Sequence, residues 1–310
     1  MKIAICGLWH VHAGGYYNTA KQYGEVIGVW DENETWRKEF AEKNGLYEFK
    51  SFEELLASDA DGAIVCSATN IHTDVIVKLA EAKKDIFTEK VLALTEADCD
   101  KIEKAIKDNG VKFVISLVHK YSAGHQTAKA IVDSGKLGKL NYLRFRNCHA
   151  GSANDWLPTH FYSLEECGGG AMIDLGAHGM YLTDWFLGLP EKYTSVFNLA
   201  CTNPATALKN VDKVEDNAIT VMSYADGCIA VNETGFVSNG CPMSLEIGGD
   251  LGYLRVVGND VTVNGEAVEL VSGKESPLVQ FLTGNIEDGC GIEEAKHLTT
   301  LMVGAYSNII

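Results

Sequence analysis

The 310-residue chain is 46% hydrophobic and 22% charged, an ordinary globular composition whose length suits two domains at roughly 150 residues each. Its 42 acidic and 26 basic residues leave a net charge of -16, which repels phosphate backbones and anionic bilayers and excludes nucleic acid and membrane surfaces as expected partners. No run approaches the roughly 18 apolar residues of a membrane span, the opening run to Cys6 is too short for a signal-peptide core, and the nine cysteines include no C-x-x-C pair. A soluble, unprocessed cytoplasmic protein with reduced thiols is expected.

Through residue 120, short apolar runs at 2–6, 26–30, 62–66, 85–88 and 112–118 alternate with helical segments at 52–58, 73–82 and 96–109. Strand and helix in alternation predict a doubly wound, right-handed parallel sheet. Val75, Leu79 and Ala82 in one helix, and Ile102, Ala105 and Ile106 in the next, give each an apolar face to lay on that sheet. After Tyr121 the pattern changes. A helix at 124–134 leads into strand-like segments at 140–146, 193–199, 218–224, 228–236, 243–248, 253–257 and 261–263, with hairpin signals at Asp226-Gly227 and Asn264-Gly265. Helices are predicted at 172–187 and 291–308. The expected fold is therefore α/β: an N-terminal Rossmann domain over 1–120, then an α+β domain over 121–310 with a large, mainly antiparallel open sheet.

The first strand ends at Gly7, where a dinucleotide fold turns tightly into a helix whose backbone N–H groups face the pyrophosphate. The G-x-G-x-x-G fingerprint survives only at its first glycine, since the sequence reads Gly7-Leu8-Trp9-His10-Val11-His12. The second strand ends in Asp31, 24 residues after Gly7, where a carboxylate accepts ribose hydroxyls and disfavours a 2'-phosphate, so NAD is expected with NADP as the open alternative. Arg37 could soften that preference, and a helix cap or solvated turn is the other reading of Asp31. His10 and His12 have metal-ligand spacing but no third or fourth donor beside them in sequence, so they are read as loop packing or cofactor contact, and no metal is expected.

Glu89-Lys90-Val91 after a strand, and Gly168-Gly169-Gly170 followed by Asp174-Leu175-Gly176-Ala177-His178, resemble signatures of the glucose-fructose oxidoreductase, inositol dehydrogenase and MocA (Gfo/Idh/MocA) family of nicotinamide-dependent oxidoreductases. The family's E-K-P has valine for proline here, while its D-x-x-x-H is intact. Cys66-Ser67-Ala68-Thr69-Asn70-Ile71-His72, Gly135-Lys136-Leu137-Gly138, Glu215-Asp216-Asn217 and the closing Ala305-Tyr306-Ser307 are similar to further family segments, in order along nearly the whole chain.

The resemblance implies an NAD(P)-dependent oxidoreductase acting on a secondary hydroxyl or ketone of a sugar, cyclitol or related polyol. His178 is the implied general acid/base, Asp174 its orienting or substrate-binding partner on the same helix face, and Lys90 the electrostatic stabiliser. Gly7, Leu8, Trp9, His10, His12, Asp31, Ser67, Thr69, His72, Glu89 and Lys90 are expected around the cofactor. Tyr121, His149, Trp156, His160 and Tyr162 are expected at the substrate, with core packing the equal alternative for each aromatic. Trp185 and Phe186 are assigned to the core. Two alternatives stay open: redox-neutral, NAD-dependent oxidation and elimination at a glycoside, and a non-catalytic NAD-binding regulator. The open sheet implies a partner surface, and the resemblance implies a sheet-mediated homodimer or homotetramer.

Overall fold

Six strands, β1 (Lys2–Cys6), β2 (Glu25–Trp30), β3 (Tyr47–Glu48), β4 (Gly62–Val65), β5 (Asp85–Thr88) and β6 (Phe113–Ile115), pair in parallel in the order β3-β2-β1-β4-β5-β6. The computed structural model describes residues 1–287 and 289–310. That strand order reverses at β1 and β4, the switch point at which doubly wound sheets bind ligands beyond the strand C-termini. Ile3, Ala4 and Ile5 of β1 and Ala63, Ile64 and Val65 of β4 are wholly buried, as a sheet covered on both faces requires. The connecting helices are α1 (Ala13–Tyr23), α2 (Glu34–Asn44), α3 (Phe52–Ala57), α4 (His72–Glu81) and α5 (Glu96–Asn109). Asn33, Ser51 and Thr95 cap α2, α3 and α5 by accepting backbone N–H groups of Trp36, Glu54 and Asp98. In contrast, α1 has no side-chain cap.

The second sheet has eight strands, β7 (Leu140–Cys148), β8 (Lys192–Asn198), β9 (Asn217–Ser223), β10 (Ile229–Gly235), β11 (Ser244–Gly249), β12 (Tyr253–Val257), β13 (Asp260–Val263) and β14 (Glu266–Ala267). Their order is β14-β13-β12-β11-β7-β10-β9-β8, and only the β7–β10 pair is parallel. Gly227 at φ 89° and Asn264 and Gly265 at φ 52° and 86° make the hairpin turns. On one face Leu143, Phe145, Ala230 and Leu245 are buried. On the other, Arg144 and Arg146 pair with Glu233, and Arg144 also approaches Glu246. The helices of this part are α6 (Ala123–Asp133), α7 (Leu164–Cys167), α8 (Ala177–Leu187) and α9 (Pro204–Lys209), followed along the chain by α10 (Pro277–Thr283) and α11 (Ile292–Ser307).

The chain divides into two compact units, Met1–Leu117 with Glu275–Thr299, and Val118–Lys274 with Thr300–Ile310. This differs from the expected 1–120 and 121–310 in one important respect: a late segment returns to the Rossmann unit. Its hydrophobic side chains account for the return. Leu278, Phe281 and Leu282 of α10 are buried, Phe281 lies 6.1 Å from the Phe87 ring centre, and the Ile115 N–H donates to the Cys290 carbonyl at 2.9 Å.

Candidate functional site

In the Rossmann unit, Gly7 sits at φ 94°, and a Cβ there would lie 2.7 Å from Ser67 Cα, so both conformation and space demand glycine. The turn is tied down by its neighbours. The Gly7 N–H donates to the Trp30 carbonyl at 2.8 Å, and the His10 N–H to the Cys66 carbonyl at 2.9 Å. Asp31 accepts the Leu8 N–H at 2.5 Å and the Asn33 N–H at 2.7 Å through different oxygens. It is 4% exposed, so neither a helix cap, which is Asn33, nor a solvated turn residue describes it. Burial pushes its carboxyl up, against those two amides. Arg37 is buried and held, donating Nε to Glu48 and Nη1 to the Asp31 carbonyl, each at 3.0 Å. Both contacts hold the guanidinium beside the end of β2.

Past β4 and β5 the expected cofactor residues form a buried lattice. His72 is 1% exposed; Nδ1 lies 3.1 Å from the Val91 and Leu92 carbonyls and Nε2 3.1 Å from that of Ser67, so the ring ties the two strand-end loops together. Burial holds its pKa below the ordinary value, although the carbonyls oppose that. Thr69 is buried beside it in the turn before α4. The buried Ser67 hydroxyl has no hydrogen-bond partner among the described residues. Glu89, 1% exposed, accepts His12 Nδ1 at 2.7 Å, the Tyr16 hydroxyl and the Lys90 N–H. Burial would raise its carboxyl, yet the charges of His10, His12 and Lys90 and the His12 hydrogen bond hold it well below the usual range. Lys90 is 6% exposed, and the peptide joining it to Val91 is cis. Trp9 packs 6.3 Å from the His10 ring.

A dinucleotide fits this end of the unit. The uncapped α1 N-terminus offers backbone donors, Gly14 and Gly15 have no atom within 4 Å of where a Cβ would stand, and the Ser67 hydroxyl is a buried donor awaiting an acceptor.

In the second unit the glycine run is a packing device. A Cβ on Gly169 would meet the Tyr306 ring and one on Gly170 the Glu215 backbone. The Glu215 carboxylate accepts the Gly170 N–H at 3.1 Å, the Met172 N–H at 2.9 Å and the Tyr306 hydroxyl at 2.7 Å. Three sequence segments, the glycines, Glu215 and Tyr306, thus meet in one network that fixes the start of the following helix. That helix opens as a π-helix over Met172–Gly176 and continues as α8. Asn232 of β10 donates to the Gly176 carbonyl at 2.7 Å at the junction. Asp174 and His178 therefore flank a change of helix pitch, rather than lying one turn apart on a continuous α-helix.

His178 is 9% exposed, with Nδ1 3.0 Å from the Tyr181 hydroxyl and its ring 4.6 Å from that of His119. The Tyr181 oxygen also accepts the His119 N–H at 3.1 Å. Asp174 is half-buried and its charge is felt at His149, whose pKa burial lowers and Asp174 partly restores. His149 stacks on Phe236 at 5.0 Å and packs 4.6 Å from Trp156, which is 55% exposed. The structure thus gathers Asp174, His149 and Trp156. His160 is half-buried 5.2 Å from the Phe161 ring. Tyr162 and Tyr121 are buried, 1% and 5% exposed, and Tyr162 shares a 2.8 Å hydrogen bond with Ser152. Trp185 and Phe186, expected in the core, are only half-buried; Lys120 and Lys129 lie 5.6 and 5.9 Å from the centre of the Trp185 ring. Sequence reasoning did not find His119, Tyr181, Glu215 or Tyr306 as partners of these groups. Only their tertiary contacts reveal them.

Residues 1–117 match the family description "Oxidoreductase family, NAD-binding Rossmann fold", and residues 125–255 match "GFO/IDH/MocA C-terminal domain". The chain is similar to a myo-inositol 2-dehydrogenase of Thermotoga maritima, 26% identical over 74% of this chain and 67% of that protein. It is also similar to a scyllo-inositol 2-dehydrogenase (NAD(+)) of Bacillus subtilis, 24% identical over 73% of this chain and 65% of that one. Across the first curated relatives the matched part covers 30% to 67% of their length. The fold is shared with a WlbA dehydrogenase from Bordetella pertussis, solved with NADH and UDP-GlcNAcA, at a TM-score of 0.79 and 18% identity over 99% of this chain and 95% of that one.

Proposed function

Because the chain belongs to the Gfo/Idh/MocA family of NAD-binding oxidoreductases, we propose that it transfers hydride between a nicotinamide and a secondary hydroxyl or ketone of a sugar, cyclitol or related polyol. The observation that carries the reading is His178: a buried imidazole whose Nδ1 is held by a tyrosine hydroxyl, in a chain that also retains Asp174 and Lys90. The inositol dehydrogenases among its relatives support a polyhydroxylated substrate.

When bound, the nicotinamide accepts or returns the hydride. The chain's own residues manage the proton and the charge. His178 takes the hydroxyl proton as the carbon–hydrogen bond breaks, and returns it in the reverse direction. A hydroxyl can donate or accept, so Tyr181 accommodates both tautomers of the ring. The Lys90 ammonium stabilises the developing alkoxide, and Asp174 with His149 and Trp156 binds the substrate, the indole against its apolar face. Asp31 directs the preference toward NAD, because each of its oxygens retains acceptor capacity for ribose hydroxyls and none for a phosphate. Gly7, Leu8, Trp9 and the α1 N-terminus hold the pyrophosphate, while His72 braces the loops of Ser67 and Val91. We place the enzyme in the cytoplasm on its cysteine pattern; among the described residues no helix is long and apolar enough to cross a membrane.

The test is to identify any nucleotide released from purified protein and to screen sugars and inositols by the near-ultraviolet absorbance of reduced nicotinamide. Substrate-dependent reduction of NAD is expected. A protein that binds no dinucleotide would overturn the reading, and product formed with no net reduction would replace it with redox-neutral glycoside chemistry.

We further propose that the outer face of the second sheet assembles a homodimer or homotetramer. Val196, Val221, Ile229 and Tyr253 are each more than a third exposed there, around the Arg144–Glu233–Arg146 ion pairs. Light scattering should give at least twice the 33.7 kDa chain mass, and the monomer mass at micromolar concentration would count against assembly.

A further inference from the structure

We propose that His10, His12 and Glu89 form a binding site for a divalent transition-metal ion of the zinc class. The two histidines come from the loop between β1 and α1, and Glu89 from the end of β5. The third donor that the sequence lacked beside His-x-His is thus supplied from 77 residues further along the chain. One ligand atom from each of the three lies within 4.8 Å of the others. Two imidazoles and a carboxylate are a donor set suited to zinc, nickel or ferrous iron, and far less to magnesium or calcium, which prefer all-oxygen shells.

The three side chains converge closely enough to share one ion. Both Nδ1 atoms converge on a single oxygen, Glu89 Oε1, at 2.7 Å from His12 and 3.6 Å from His10. The His12 backbone N–H also donates to His10 Nδ1 at 3.3 Å, a contact to the neutral ring, whose one Nδ1 lone pair is the one a metal would take. A tetrahedral zinc site with bonds near 2.0–2.1 Å separates its donors by about 3.3 Å, between the two observed distances. The adjustment required falls on His12, whose side chain is 51% exposed and able to move, while His10 and Glu89 are fixed in the interior.

The surrounding contacts are those of an outer shell that orients ligands. Glu89 Oε2 accepts the Lys90 N–H at 3.1 Å, and the Tyr16 hydroxyl meets Oε1 while lying 2.8 Å from Ser116 Oγ. Three protein donors leave a position for water or an oxygen of a bound anion.

This inference is independent of the hydride-transfer reading, and its test needs no nicotinamide or substrate. Tag-free protein is stripped with a chelator, then titrated with Zn2+ by calorimetry and with Co2+ by visible absorption. About one ion per chain and cobalt d–d bands are expected, with His12→Ala and Glu89→Gln each weakening affinity at least tenfold, by about the loss an outer-shell change can cause. Circular dichroism checks that the variants fold, which the exposure of His12 favours. Absence of stoichiometric binding to the wild type, or unchanged affinity in both variants, would overturn the proposal.

Discussion

His178→Ala is expected to lower kcat on the true substrate by about 10²–10⁴-fold, the range for loss of a positioned general acid/base. Hydride departure leaves a protonated ketone unless the hydroxyl proton moves to a base, so removal of the imidazole strands the reaction at its highest-energy charge state. Lys90→Ala removes the cation proposed to stabilise the alkoxide character that develops as the hydroxyl is deprotonated, and should cost on the order of 10²–10³-fold. Tyr181→Phe provides a graded intermediate. The ring keeps its packing against His178, centroids 5.6 Å apart, but loses the hydroxyl on Nδ1, and a loss of about tenfold in kcat is expected. Steady-state kinetics with saturating NAD reads all three, with dinucleotide affinity measured separately. Wild-type turnover in both His178→Ala and Lys90→Ala would sink the catalytic assignment.

The residues proposed for that chemistry were legible because their types and spacings are local. Lys90 follows a strand, and Asp174 and His178 follow a glycine run. Their partners were not legible, since contacts are long-range: Glu215 lies 45 residues from the Gly170 amide it accepts, and Tyr306 a further 91 from Glu215. The same limit applies to the fold. Strands Lys2–Cys6 and Asp85–Thr88 each open on one charged residue and continue as an apolar or β-branched run, so the pattern finds them. Two-residue strands, Tyr47–Glu48 and Glu266–Ala267, carry too few residues for any pattern. At the end of the π opening of the Asp174 helix, Asn232 from another strand donates to the Gly176 carbonyl, a contact no helical periodicity encodes. The return of Glu275–Thr299 to the Rossmann unit is likewise invisible locally, because an apolar face such as that of Leu278, Phe281 and Leu282 fits either core.

Stability of the second unit should fall as the pH drops below neutrality, and His125 is the group expected to dominate. It is 3% exposed, with Nδ1 2.7 Å from Ser122 Oγ, and burial, aided by the charge of His119, lowers its pKa to about 3. The folded state therefore prefers the neutral ring, whereas the unfolded chain takes up a proton near pH 6.5. Since the folded pKa lies below the unfolded one, the folded state's advantage is intact above 6.5. It is lost progressively toward 3, at up to about 1.4 kcal/mol per pH unit. Between pH 7 and 5 this amounts to about 2 kcal/mol. In the Rossmann unit the lowered pKa of buried His72 acts with the same sign. The raised carboxyls of Asp31 and Glu215 act with the opposite sign, because the folded state protonates them first as the pH falls. A difference measurement isolates the histidine. Urea midpoints followed by the fluorescence of Trp156 and Trp185, using variants lacking the other tryptophans, should show a steeper acid decline in the wild type than in His125→Gln. The glutamine chain sacrifices packing equally at every pH but takes up no proton on unfolding. Parallel pH profiles for the two proteins would show that the His125 ring is already accessible to protons in the folded state.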